Sequence, residues 1–235
     1  MQRLLLIVLV SLPTVMGYAQ KPRLYVFLPS PMRPHALQTR LAKAVPNTQV
    51  TVFGRFREFE RQIKNAPPDA ILTLPPVAAQ FDQFDIGLRG VRSGKENEPY
   101  VMLSVDKAFD PPTSGQEPIG VVDLLGRRDM EQFLALKLGL QKVRVRTVTK
   151  LEDLLSLLQF QDVNAIFVPQ SIVDFYMERS RLNLIVNNLS DVKIGLPVLA
   201  FHHSESGDHA ITIKGFRDLD DNLKNLLGVD LWQRP

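Results

Sequence analysis

Gly126-Arg127-Arg128-Asp129 is the stretch with the clearest chemical promise. It lies between an apolar, strand-like run (residues 119–124) and an amphipathic stretch (residues 129–140). Backbone N–H groups and the dipole at a helix N-terminus attract anions, and guanidinium groups add paired donors. Arg127 and Arg128 are therefore candidate anion-binding residues. The competing arrangement is a solvated turn in which Asp129 caps the helix and repels an anion. Ser30, Thr73 and Gln170 come at or just after the ends of other strand-like runs, and Ser104 stands near the end of a further one. Their polar side chains line a cleft if those strand ends share one sheet edge, and otherwise serve ordinary turn chemistry.

Two further constellations carry charge. Lys142, Arg144 and Arg146 alternate with Val143, Val145 and Thr147, so a strand would place all three cations on one face. Such a row protects a sheet edge or docks an acidic partner. Residues 202–209 hold three of the four histidines. Neighbouring strand residues point to opposite faces, so His202 and His203 do not readily share one ion, and no metal is expected. The motifs H-E-x-x-H, G-x-S-x-G, Walker A and G-x-G-x-x-G do not occur. Neither enzymatic activity nor a cofactor is expected.

Composition narrows the class further. The 235 residues are 45% hydrophobic and 23% charged, the balance of an ordinary globular chain. A formal net charge of +3 is too small to argue for nucleic acid as the partner. The absence of cysteine excludes disulfides, thiolate metal sites and thiol catalysis. Residues 1–19 read as a secretory signal: Arg3 supplies a basic start, residues 4–12 are apolar, and Gly17 and Ala19 stand before the cleavage point. The exported chain is expected to begin at Gln20, in a bacterial periplasm.

The rest alternates between two kinds of run. Strands are predicted over 23–28, 49–53, 69–74, 85–91, 100–105, 119–124, 142–148, 164–168 and 182–186. Helices are predicted over 35–45, 55–65, 129–140, 151–160 and 171–180. Asp129-x-x-Gln132 and Thr149-x-x-Glu152 fit capping boxes, and Ser171 fits an N-cap. A hairpin is predicted from 196–203 and 209–214, followed by a helix capped by Asp218. Prolines and glycine cluster in 106–118, which marks a boundary. The expected architecture is α/β with two lobes and mainly parallel sheets. Lobe 1 takes residues 20–105 plus 196–235, lobe 2 takes 119–188, and hinge crossings fall at 106–118 and 189–195.

Residues 119–123 (IGVVD), 143–149, 151–154 (LEDL) and 164–168 (NAIFV), behind a secretion signal, resemble the type 2 periplasmic substrate-binding proteins. Within that family the chain is most similar to the phosphonate/phosphate-binding branch of the ABC-transporter solute-binding proteins. The resemblance implies a soluble, monomeric periplasmic protein closing two lobes over a small ligand and presenting it to an inner-membrane permease. The arginine pair favours an anionic ligand. The alternative is a regulatory protein that docks on and controls an inner-membrane signalling protein, which the short chain favours.

Overall fold

Strands form where a run is apolar on both faces and is cut by proline. The computed structural model describes residues 21–109, 117–203 and 209–235. The expected signal at 1–19 and the 204–208 turn of the expected hairpin lie outside the described residues. In the first lobe, β1 (Arg23–Phe27) and β3 (Ala70–Thr73) are almost wholly buried. Strand β1 pairs in parallel with β3 on one side and with β2 (Gln49–Val52) on the other. Strand β4 (Phe84–Val91) and β10 (Val198–His202) join antiparallel, and β11 (Leu231–Gln233) completes the order β11-β4-β10-β3-β1-β2.

Helix α1 (Pro34–Ala44) buries Leu37 and Leu41 on one face of this sheet. Helix α2 (Phe56–Asn65) buries Phe56, Phe59 and Ile63, spaced three and four apart, on the other. A single turn, α3 (Pro75–Ala78), follows β3 directly.

The second lobe is a five-stranded sheet. Strand β6 (Pro118–Val122) lies parallel between β7 (Arg144–Val148) and β8 (Ala165–Pro169), and β5 (Asn97–Val105) and β9 (Leu184–Gly195) add antiparallel in the order β7-β6-β8-β5-β9. Helices α4 (Arg127–Leu138), α5 (Asp153–Gln159) and α6 (Val173–Arg179) connect the strands, the last after a 3-10 turn at Gln170–Ile172.

The two-lobed α/β architecture agrees with the sequence reading, but both sheets are mixed rather than mainly parallel. Each keeps three parallel strands at one edge and continues on the other side through antiparallel pairings. Strand pairing also moves the boundaries. Residues 97–105 belong to the second sheet, so 106–118 joins two strands of that sheet and is not a crossing. Residues 189–195 continue β9 as far as Gly195. The chain instead crosses at a tight turn, where Arg92 and Lys95 exchange backbone bonds and Ser93 and Gly94 have positive φ. It returns at 196–197. The two crossings lie side by side: Leu196 N–H donates to Glu96 O at 2.8 Å, and Gly90 N–H to Pro197 O at 2.8 Å.

The C-terminal region departs most from expectation. Residues 209–217 are a helix, α7 (His209–Arg217), not the second arm of a hairpin. The alternation of Ile211, Thr212 and Ile213 suggests a strand, yet the buried residues are Thr212 and Phe216, one helical turn apart. The Phe216 ring meets Trp232 edge-on at 5.5 Å, and that long-range contact selects the helix. The following helix is α8 (Asp221–Leu226), capped by Asp220, whose Oδ1 accepts from Leu223 N–H at 2.7 Å. Asp218 does not cap it. Nor do the expected caps Asp129, Thr149 and Ser171 hold those positions: the N-cap residues of α4, α5 and α6 are Gly126, Glu152 and Ile172.

One hydrophobic cluster, under α1, α7 and α8, is confined to the first lobe. The other runs through both, from Phe27, Phe56 and Phe59 in the first lobe to Tyr100, Leu124, Leu125 and Met130 in the second. The segment 123–126 lies against α2, because a Cβ on Gly126 would stand 4.0 Å from the Phe56 ring. The lobes therefore meet across an apolar seam.

Candidate ligand-binding cleft

Parallel strands deliver their carboxyl ends to one edge, and the loops that leave those ends build the cleft. The loop after β1 is central. Leu28, Ser30, Pro31 and Leu37 line two chambers, one on each side of it.

The first chamber, about 250 Å³, lies toward the crossings. Its lining includes Leu28, Leu74, Leu151, Ile172 and Leu196, with Arg92, Glu98, Tyr100 and Ser171 as polar groups. Glu98 Oε1 accepts from Ser171 N–H at 3.1 Å, which ties β5 to the turn after β8. Tyr100 is buried and its ring lies 4.8 Å from that of Phe167. Burial, and secondarily the Glu98 charge, pushes its pKa well above the usual phenol value. It stays neutral at any physiological pH and serves as a hydroxyl, not as a base.

The second chamber, about 430 Å³, opens where the loops after β1, β2 and β7 meet. Arg33, Arg55 and Lys150 line it with Glu58 and Glu152. Arg55 stands 3.7 Å from Glu58 and Lys150 3.9 Å from Glu152. Arg33 makes no ion pair among the described residues. Helices α1 and α2 both start here, with Arg33 and Arg55 as N-cap residues and no side-chain cap on either. The starts of both helices border this chamber through Arg33, Pro34, Arg55 and Glu58, and a helix start carries the positive end of its dipole.

The predicted site residues fall in different places. Ser30 lines both chambers, and its Oγ accepts from Met32 N–H at 3.1 Å. Thr73 is fully buried, and its hydroxyl donates to Phe27 O at 2.7 Å, joining β3 to β1. Ser104 is likewise internal: it donates to Lys107 O at 2.6 Å and accepts from Asn187 at 2.9 Å. Gln170 is exposed while its neighbours Pro169 and Ser171 line the first chamber. Arg127 and Arg128 are exposed and line neither chamber, and Arg127 Nε lies 3.8 Å from Glu131. Gly126, at φ 81°, turns the chain into α4 in a conformation that favours glycine, and its N–H donates to Asp123 Oδ1 at 2.7 Å. The exit of β6 is thus closed by its own aspartate.

The chamber cations Arg33, Arg55 and Lys150 were open to the same reasoning as Arg127, since each also follows a strand. Their signal was missed because no two are adjacent in sequence. The histidines disperse: His202 meets Phe84 edge-on, His203 Nε2 lies 3.2 Å from Asp85, and His209 stacks on Phe201.

Asp123 responds to the seam. Desolvation raises its pKa above the usual 3.8, against the lowering effects of the Gly126 N–H and the Arg57 charge. A carboxyl with a raised folded-state pKa favours folding while protonated, and that contribution is lost as pH rises through the folded value. Asp123→Asn keeps the acceptor for Gly126 and removes the charge. The variant should be more stable than the parent at pH 7, with the difference shrinking below pH ~4. Chemical denaturation at the two pH values checks this.

No sequence-family model matches the chain, and neither does any curated protein sequence. Solved structures do match. The BvgS periplasmic VFT2 domain of Bordetella pertussis aligns at 13% identity and TM-score 0.54, over 88% of this chain and 93% of that one. The amino acid ABC transporter substrate-binding protein AbpA from Streptococcus pneumoniae, bound to L-arginine, aligns at 13% identity and TM-score 0.58, over 88% and 94%. The GluR0 ligand-binding core from Nostoc punctiforme, in complex with L-glutamate, aligns at 11% identity and TM-score 0.58, over 87% and 96%. The fold is that of the type 2 periplasmic binding proteins. In this binding-protein fold the two chambers lie between the lobes, one toward the paired crossings and one toward α1 and α2.

Proposed function

We propose that this chain is a periplasmic ligand-binding protein whose lobes close over a small anionic solute held in the second chamber. One observation carries the reading: two helices start there without side-chain caps, beside three cations and only two carboxylates. Each dipole end counts as roughly half a positive charge, and an anion satisfies the open N–H groups and Arg33 together. A phosphate or phosphonate is one such anion, and a carboxylate is another. The sequence of residues 1–19 supports export. The neighbours solved with L-arginine and L-glutamate support a small-molecule ligand. Presentation of the closed form to an inner-membrane permease, by a monomer, is part of this reading.

A thermal-shift screen of carboxylates, phosphonates, phosphate, neutral amino acids and sugars tests it. Anions should raise the melting temperature and neutral sugars should not. Arg33→Ala should weaken the best anion by about 1.5–3 kcal/mol, ten- to hundredfold. Preferential stabilisation by a sugar, or equal binding by the variant, overturns the anion reading.

The seam favours a second reading, in which the protein docks on an inner-membrane signalling protein and does not serve import. Phe56, Leu124 and Leu125 share one buried apolar cluster across the lobes. Lobes joined by such a seam can dock on a partner as one body. Recovery of a signalling protein, and no permease, by crosslinking in the cell envelope would decide for it.

A further inference from the structure

The two crossing segments have a second side. Ile194, Gly195 and Leu196 line the first chamber on one face and a separate cavity of about 310 Å³ on the other. That rear cavity is bounded by both lobes: Arg89 comes from β4 of the first, and Lys137 of α4 and Lys193 of β9 from the second. Gly195 lets the return crossing approach α3 closely, since a Cβ there would come within 2.5 Å of Pro75 Cγ.

Its charge is one-sided. The guanidinium of Arg89 is held by Glu96 at 3.0 Å, and Gln233 donates to the other oxygen of Glu96 at 2.7 Å. These bonds keep the Glu96 pKa below its usual value, so one carboxylate stands against three cations. Lys137 Nζ is fixed at the wall by its bond to Lys193 O at 3.2 Å, with two further N–H groups to offer. Neither lysine ammonium has a carboxylate partner among the described residues.

We propose that this rear cavity is a second ligand site, taking a small doubly charged oxyanion of the inorganic phosphate class between Lys137, Lys193 and Arg89. An excess of two positive charges matches a dianion, and tetrahedral oxygens reach several donors at once. The rear cavity shares no charged residue with either chamber of the cleft. Because its walls come from both lobes, an oxyanion there holds the crossing at one width and so shifts the equilibrium between open and closed lobes.

Calorimetric titration of the exported chain with sodium phosphate, at constant ionic strength, tests the assignment. The parent should show saturable binding that Lys137→Gln with Lys193→Gln weakens by at least about tenfold. Arg33→Ala, in the cleft, should retain the rear binding. A charge-matched control, Lys142→Gln just before β7 with Arg146→Gln on it, should bind like the parent. Circular dichroism confirms that each variant is folded, and Lys193→Gln alone, at an exposed side chain, should still weaken binding. No saturable binding in the parent overturns the proposal. So does loss in Arg33→Ala with none in the rear variant, a result that would leave the cleft reading standing. Equal loss in the charge-matched control reduces the effect to net charge and overturns it as well.

Discussion

Phe59→Ala lowers the unfolding free energy by about 3–5 kcal/mol, out of a total of roughly 5–15 kcal/mol for a protein of ordinary stability. Phe59 is fully buried on α2. Its ring stacks on Phe27 at 5.5 Å and meets Phe53 and Phe81 edge-on, each at 5.7 Å. Truncation removes the transfer energy of the ring and leaves a cavity walled by three other aromatic rings. Those rings are anchored on β1, after β2 and after α3, so collapse around the gap is resisted. Urea denaturation followed by fluorescence or circular dichroism gives the difference directly. A loss below about 1 kcal/mol would mean that α2 is not part of the cooperative core.

Leu125→Asp opens the two lobes without unfolding either. Leu125 is 5% exposed, in the segment that meets Phe56. An unpaired carboxylate buried there costs several kcal/mol. The chain avoids that cost by parting the seam, since the charge then reaches water while each sheet keeps its own packing. Small-angle scattering should record a larger radius of gyration for the variant, with an unchanged far-ultraviolet spectrum. An unchanged radius with lost stability would show that the seam is one indivisible core. A ligand whose binding closes the lobes should return the radius toward that of the parent.

Local pattern and long-range assembly contributed differently. The spacing of Phe56, Phe59 and Ile63 identifies a helix, and the apolar runs at 23–27 and 70–73 identify buried strands, because these periodicities report which faces leave water. The boundary at 106–118 was misplaced for a related reason. Prolines and glycine interrupt any element, and interruption does not say whether the next strand rejoins the same sheet. Only pairing decides that, and β5 lies between β8 and β9, formed some sixty or more residues later.

The candidate site shows the same division. That residues following strands would border a cleft was readable from order alone, and Ser30 lies there. Which cations join it was not readable. Arg127 and Arg128 are adjacent in sequence and exposed, whereas Arg33, Arg55 and Lys150, more than a hundred residues apart at their extremes, line one chamber. By itself the sequence determined an α/β chain of alternating elements, free of cysteine, with an apolar run over residues 4–12. Those properties depend on composition and on spacings within single elements. Tertiary structure alone decided the mixed order of both sheets, the position of the crossings, the helical state of residues 209–217 and the companions of each cation. Each of these is set by contacts between residues far apart in the chain, whose free energy outweighs local propensity and leaves no trace in neighbouring letters.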